Sequence, residues 1–176
     1  RGLGDAGNRL SLDFARTLLS VFPDKAPELI LRHLDKADIT TKDQLFKLLA
    51  KNNYELLHDY LWASLEHADS HLKSTILKTL FSFGSEPAKK LLTDTLASDN
   101  PRIQAAAIYG ILEYSETSLY DDAFSAWQQL ITADAAGANL AALELLEHLP
   151  LAGEAADHLL EPYRASILRL LAQRAG

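Results

Sequence analysis

His67 and His71 stand four residues apart with Glu66 and Asp69 beside them, the residue types and spacing of a metal-ligand pair. Zinc would require both imidazoles on one face and a third ligand converging from elsewhere. Asp69-Ser70 between them reads instead as a turn between two helices, so the pattern predicts two surface histidines and no metal site. Gly2, Gly4 and Gly7 spell a G-x-G-x-x-G, but no strand precedes them and no βαβ unit follows, the context in which that motif cradles a pyrophosphate. A flexible lead-in is expected there. Asp121 and Asp122 are adjacent, which on a helix turns them about 100° apart and prevents them from sharing a proton. Ser64, Ser82 and Ser125 fall within helical stretches with no histidine at a fitting distance, and His33, His58, His148 and His158 are scattered. The expectation is a non-enzyme with no catalytic residue, cofactor or metal.

Binding chemistry is better represented. Glu55, Asp59, Trp62 and Glu66 recur at helical spacing on one face, while Leu57, Tyr60, Leu61 and Leu65 make a stripe for burial. Trp62 then sits at the rim of the core, one turn after His58. A rim tryptophan among carboxylates suits a basic or aromatic partner. Further on, Asp121, Asp122, Ser125, Gln128 and Gln129 form the polar side of a helix, whereas Trp127 falls in its apolar stripe and is expected in the core. These two sets are the candidate protein-binding residues. Arg164, Arg169 and Arg174 are five apart, each rotated about 140° from the last, and make no single stripe.

The charge distribution sharpens this reading. The formal net charge is −7, and no Lys or Arg occurs between Arg102 and Arg164, a gap that runs through carboxylates from Glu113 to Glu161. Such a field repels phosphate backbones, so nucleic acid is not an expected partner; a basic or amphipathic protein segment is. Tyr109, Tyr114 and Tyr120 add aromatic contact area to the acidic stretch.

The whole chain is 176 residues, 48% hydrophobic and 23% charged, enough for a single globular domain with a substantial core. No apolar run approaches the roughly 20 residues of a membrane span, so membrane insertion by this chain is not expected. Cysteine is absent, which excludes disulfides and thiolate chemistry. Methionine is absent too and the chain begins at Arg1, which suggests a fragment of a longer protein. The cytoplasm is the expected compartment, with a periplasmic or membrane-attached position left open.

Apolar periodicity near 3.6 residues runs almost throughout, broken at short polar intervals. It predicts helices near 9–21, 25–36, 41–51, 53–67, 70–83, 86–97, 101–114, 118–132, 136–148 and 153–173, the last interrupted at Pro162. Asp99-Asn100-Pro101 and Ser85-Glu86-Pro87 read as helix starts, Thr41, Ser70 and Thr117 as further caps, and Gly84 as a helix end. Asp38, Asp69, Asp99 and Asp134 each precede the first helix of a pair, at intervals of thirty to thirty-five residues. Ala105, Ala106, Ala107 and Gly110 would let one helix sit wedged between neighbours.

The stretch SDNPRIQAAAIYGIL resembles the first helix of a HEAT repeat, with Asp99, Ile103, Ala106, Ala107 and Leu112 in the family's characteristic places and Gln104 where it carries arginine. DSHLKSTILKTLFSFG and DAAGANLAALELLEHL are weaker versions of the phrase. The resemblance covers residues 38–175. It implies an all-α, right-handed solenoid of about five antiparallel helix pairs, with 1–37 as lead-in and atypical capping pair and 38–176 as repeats. Second helices, with Lys89, Lys90, Thr93 and Asp94 among their residues, would line a concave side. The implied function is a protein-interaction scaffold or regulatory module. The same resemblance admits a chromophore lyase or DNA-repair glycosylase, and the chain could also be the soluble domain of a membrane transporter or receptor.

Overall fold

The computed structural model describes residues 12–52, 54–114, 117–133, 135–146 and 161–175. All regular structure among them is helical: α1 Leu12–Val21, α2 Ala26–His33, α3 Ile39–Asn52, α4 Tyr54–Leu65, α5 Ser70–Ser82, α6 Glu86–Leu96, α7 Pro101–Glu113, α8 Tyr120–Thr132, α9 Ala136–Glu144 and α10 Arg164–Ala175. Each overlaps a predicted segment. Pro162 lies in a short 3-10 turn just before α10, so the ring that cannot continue a helix marks where the last one begins. The glycines at 2–7, Asp134 and the predicted helical residues 153–160 lie outside the described residues.

The chain divides into two compact units, the first ending at Thr79 and the second beginning at Leu80, within α5. In the first, α1 packs on α2 and α3, α2 on α4, and α3 on α4. Ile30, Leu34, Leu45, Phe46, Leu49, Leu57 and Leu61 fill its core. In the second, α7 packs against α6, α8 and α9, while α10 leans on α8 and α9. From α6 to α9 each helix meets the next in sequence order.

The small residues of α7 allow that crowding. Ala105, Ala106, Ala107 and Gly110 are all buried, alongside Ile108 and Ile111. Gly110 lies so close to Phe81 that a Cβ built on it would stand 2.7 Å from the ring's Cδ2.

Polar side chains close the helix ends. The Asp38 carboxylate accepts from the Thr41 amide and hydroxyl at 2.9 Å each, and Asp69 accepts from the His71 and Leu72 amides. The caps of α3 and α5 are therefore Asp38 and Asp69, a correction to Thr41 and Ser70. A capping oxygen reaches two or three residues forward, so the acceptor stands before the helix and Thr41 is its recipient. Asn100, not Asp99, caps α7, accepting from the Arg102 and Ile103 amides. Ser85 occupies the cap position of α6 without making a side-chain cap bond. Gly84 ends α5 at φ +61°, a left-handed conformation that glycine enters without steric penalty.

Two amides bind helix to helix. Gln104 of α7 donates to the Leu96 carbonyl at the end of α6, at 3.0 Å. Asn139 of α9, 6% exposed, donates to the carbonyls of Leu130, Ile131 and Ala133 at the end of α8. Both satisfy carbonyls that a helix C-terminus leaves without partners.

Candidate functional site

The first candidate surface lies on α4 in the first unit. Leu57 and Leu61 are fully buried, and this fixes which way the helix faces. Glu55, Asp59 and Glu66 are exposed, and Trp62 lies partly buried between them, as its spacing predicts. The Trp62 indole N–H donates to His58 Nε2 at 2.9 Å, and the two rings meet nearly edge-on with centroids 6.0 Å apart. That bond requires His58 Nε2 to be unprotonated, and it holds the indole in one orientation. On the other side of the imidazole, Nδ1 stands 3.8 Å from an Asp59 carboxylate oxygen. The four-residue spacing of His58 and Trp62 was visible in the sequence; the bond between them was not.

The second surface lies on α8 in the second unit. Ala123, Ala126, Trp127, Leu130 and Ile131 are buried, while Asp121, Asp122, Ser125 and Gln129 are exposed and Gln128 is half-buried. Trp127 is fully buried and donates to the Ala142 carbonyl of α9 at 3.0 Å. It stacks on Phe124 and meets Tyr163 edge-on at 5.5 Å. The inner face of α8 is therefore rigidly anchored, and this sets the direction of the outer one. Lys89, Lys90, Thr93 and Asp94 are exposed on α6.

Among the described residues, no Lys or Arg forms an ion pair with Glu55, Asp59, Glu66, Asp121 or Asp122. The observed Lys and Arg pairs are local, such as Lys47 with Asp43 and Arg16 with Asp13. Carboxylates on a helix face with no Lys or Arg partner remain able to attract an incoming cation.

His67 follows the end of α4 and His71 falls in the first turn of α5, both exposed and separated by the turn that Asp69 caps. Among the described residues no three His, Asp or Glu side chains converge on a point where a metal could sit. Asp121 and Asp122 diverge along α8 as their adjacency dictates. A tyrosine pair was not anticipated: the rings of Tyr109 and Tyr114 meet edge-on at 6.2 Å. Burial, then Tyr109, push the Tyr114 hydroxyl well above the usual tyrosine range, so it stays protonated at neutral pH. No helix among the described residues is long and apolar enough to cross a membrane.

Comparison with known proteins finds no family model, no curated protein and no solved structure that matches this chain.

Proposed function

We propose that the chain is a non-catalytic interaction scaffold, an α-solenoid of HEAT-like helix pairs that offers acid-biased helix faces to a basic or amphipathic segment of another protein. The neighbour-to-neighbour packing within each unit supports the solenoid, because stacked helix pairs bury apolar surface that one pair cannot cover alone. The cap positions support a repeat. Residues 38, 69, 100 and 135 each accept, through the backbone carbonyl, the amide four residues on at the start of α3, α5, α7 and α9. In this reading the second helix of each pair lines a concave side and carries the contact residues.

One observation carries the functional reading: Asp121 and Asp122 stand exposed at the start of α8, in a sequence stretch with no Lys or Arg between Arg102 and Arg164. Carboxylates so placed favour a cationic partner and repel nucleic acid. Fluorescence anisotropy tests this with a labelled amphipathic helical peptide bearing lysine and arginine along one side. The wild type should bind it with salt-sensitive affinity, and Asp121→Lys with Asp122→Lys should weaken binding at least about tenfold, or roughly 1.4 kcal/mol. Equal binding by both proteins would remove α8 from the proposal.

A further inference from the structure

The bond that orients Trp62 is one that only a neutral imidazole can accept. His58 Nε2 takes the indole N–H at 2.9 Å, so the ring's own proton sits on Nδ1, 3.8 Å from an Asp59 carboxylate oxygen. A second proton would make Nε2 a donor aimed at another donor, and the contact with the indole would open. The same proton would give the imidazole a charge opposite to that of Asp59 and turn their proximity into an ion pair. Histidine is the side chain whose charge ordinarily changes between about pH 5 and 8, so this exchange of partners falls within reach of mild acid.

We propose that His58 is a pH-operated gate on the α4 surface: neutral, it fixes the Trp62 indole; protonated, it releases the indole and sets a positive charge beside Asp59. The charges around it suit that role. α4 contains no Lys or Arg, so His58 is the group of that helix able to become cationic, on a side that bears Glu55 and Asp59 with Glu66 just beyond. Two helices pack on α4. On α2 stand Glu28 and Arg32, closed on each other, and His33, whose Nδ1 donates to the Leu29 carbonyl. On α3 stand Lys47, paired with Asp43, the exposed Lys51, and Lys42, whose charge acts on Asp69. Asp59 is thus the carboxylate that the structure sets beside the imidazole. Protonation would remove two attractions for a cationic segment together, the fixed aromatic ring and part of the negative charge around it. That such a segment is the ligand rests on the function proposed above; the gate itself does not.

The test is 15N NMR of the whole chain between about pH 8 and about pH 5.5, the range in which imidazoles change charge. A coupling passed through the hydrogen bond should join Trp62 Nε1 to His58 Nε2 at the upper pH and vanish as the imidazole nitrogens report protonation. Trp127 is the internal reference, because its N–H donates to the Ala142 carbonyl, which does not titrate; its resonance should stay in place. His58→Gln provides the second arm, since its side-chain carbonyl can accept the indole N–H but takes no charge. In the anisotropy assay with the basic peptide, wild type should lose about two- to fivefold more affinity than His58→Gln on going from the upper pH to the lower. The comparison cancels the contribution of the other histidines. Absence of the coupling at the upper pH, or its survival after the imidazole is protonated, overturns the gate. Equal losses of affinity in the two proteins overturn its action on binding. A peptide that binds neither protein at either pH counts against the scaffold instead, and the coupling alone then decides the gate.

Discussion

Gly110→Ala sets two well-characterised effects against each other. In the interior of α7 an alanine favours the helix over glycine by about 0.5–1 kcal/mol, by restricting the unfolded chain and shielding the backbone. Against that gain, the new Cβ would stand 2.7 Å from Phe81 Cδ2, 2.9 Å from Cγ and 3.0 Å from Cβ. These atoms lie at the attached end of the ring, so rotating the distal ring away does not relieve the clash. Phe81 is itself 3% exposed and has no room to swing. Overpacking of this kind costs about 1–3 kcal/mol, so packing outweighs propensity and the variant should lose about 1–2 kcal/mol. For a chain of this size that lowers the melting temperature by roughly 2–8 °C. Gly137→Ala in α9 is the control, because an added Cβ there meets nothing within 4 Å. It should gain roughly 0.5–1 kcal/mol from the same propensity term alone.

The assay is urea unfolding followed by far-ultraviolet circular dichroism, with both variants at matched concentration. Midpoints that move in opposite directions support the close approach of α7 to Phe81. If Gly110→Ala unfolds at or above the wild-type midpoint, the contact is looser than described, and the account of why α7 carries its small residues fails. Combining Gly110→Ala with Phe81→Leu should cost less than the sum of the two separate changes, because both act on one contact.

Two further predictions concern the helix ends. Asn139→Leu leaves the carbonyls of Leu130, Ile131 and Ala133 without their side-chain donor in a buried position, and should cost about 1–3 kcal/mol in the same unfolding assay. Wild-type stability at that substitution would deny Asn139 its role at the end of α8. The second concerns acid. The Thr41 amide and hydroxyl hold the Asp38 carboxyl below its ordinary value of 3.8, and the Leu72 amide does the same for Asp69. Because both folded values are depressed, this stabilisation is fully present above about pH 4 and is lost as pH falls through the lowered values. Urea midpoints measured from neutral pH downward should therefore fall less steeply below pH ~4 for Asp38→Asn with Asp69→Asn than for wild type, since asparagine caps without titrating. Parallel curves would refute the assignment of these two caps.

The helices were legible in the sequence because apolar periodicity and breakers agreed at nearly every boundary: Asn100-Pro101 opens α7, Gly84 closes α5 and Pro162 precedes α10. The caps were less legible. Thr41 and Asp38 are both acceptable capping types, and only the backbone path shows which oxygen reaches which amide. The candidate residues on α4 and α8 fell where helical spacing put them, because Leu57, Leu61, Trp127 and Ile131 orient each helix unambiguously. The orienting bond from Trp62 to His58 depends on side-chain rotamers, which spacing does not determine.

Gln104 stands where the HEAT resemblance expects arginine, and its neutral amide connects the interior of the second unit to its surface. Four residues after each cap position at the starts of α3, α5, α7 and α9 come Lys42, Lys73, Gln104 and Asn139. In the first unit this position is cationic, and the charge of Lys42 is among the influences that keep Asp69 ionised, after the Leu72 amide and alongside His71. In the second unit it is an amide that donates to the carbonyls of the helix before it. A lysine or arginine buried as deeply as Asn139 would need a carboxylate partner inside to offset its desolvation, whereas an amide needs only the carbonyls already present. Seams closed by amides therefore draw no acidic residue inward. This lets the stretch between Arg102 and Arg164 dispense with Lys and Arg without weakening its packing, and it leaves Asp121 and Asp122 exposed with no ion pair to a Lys or Arg among the described residues.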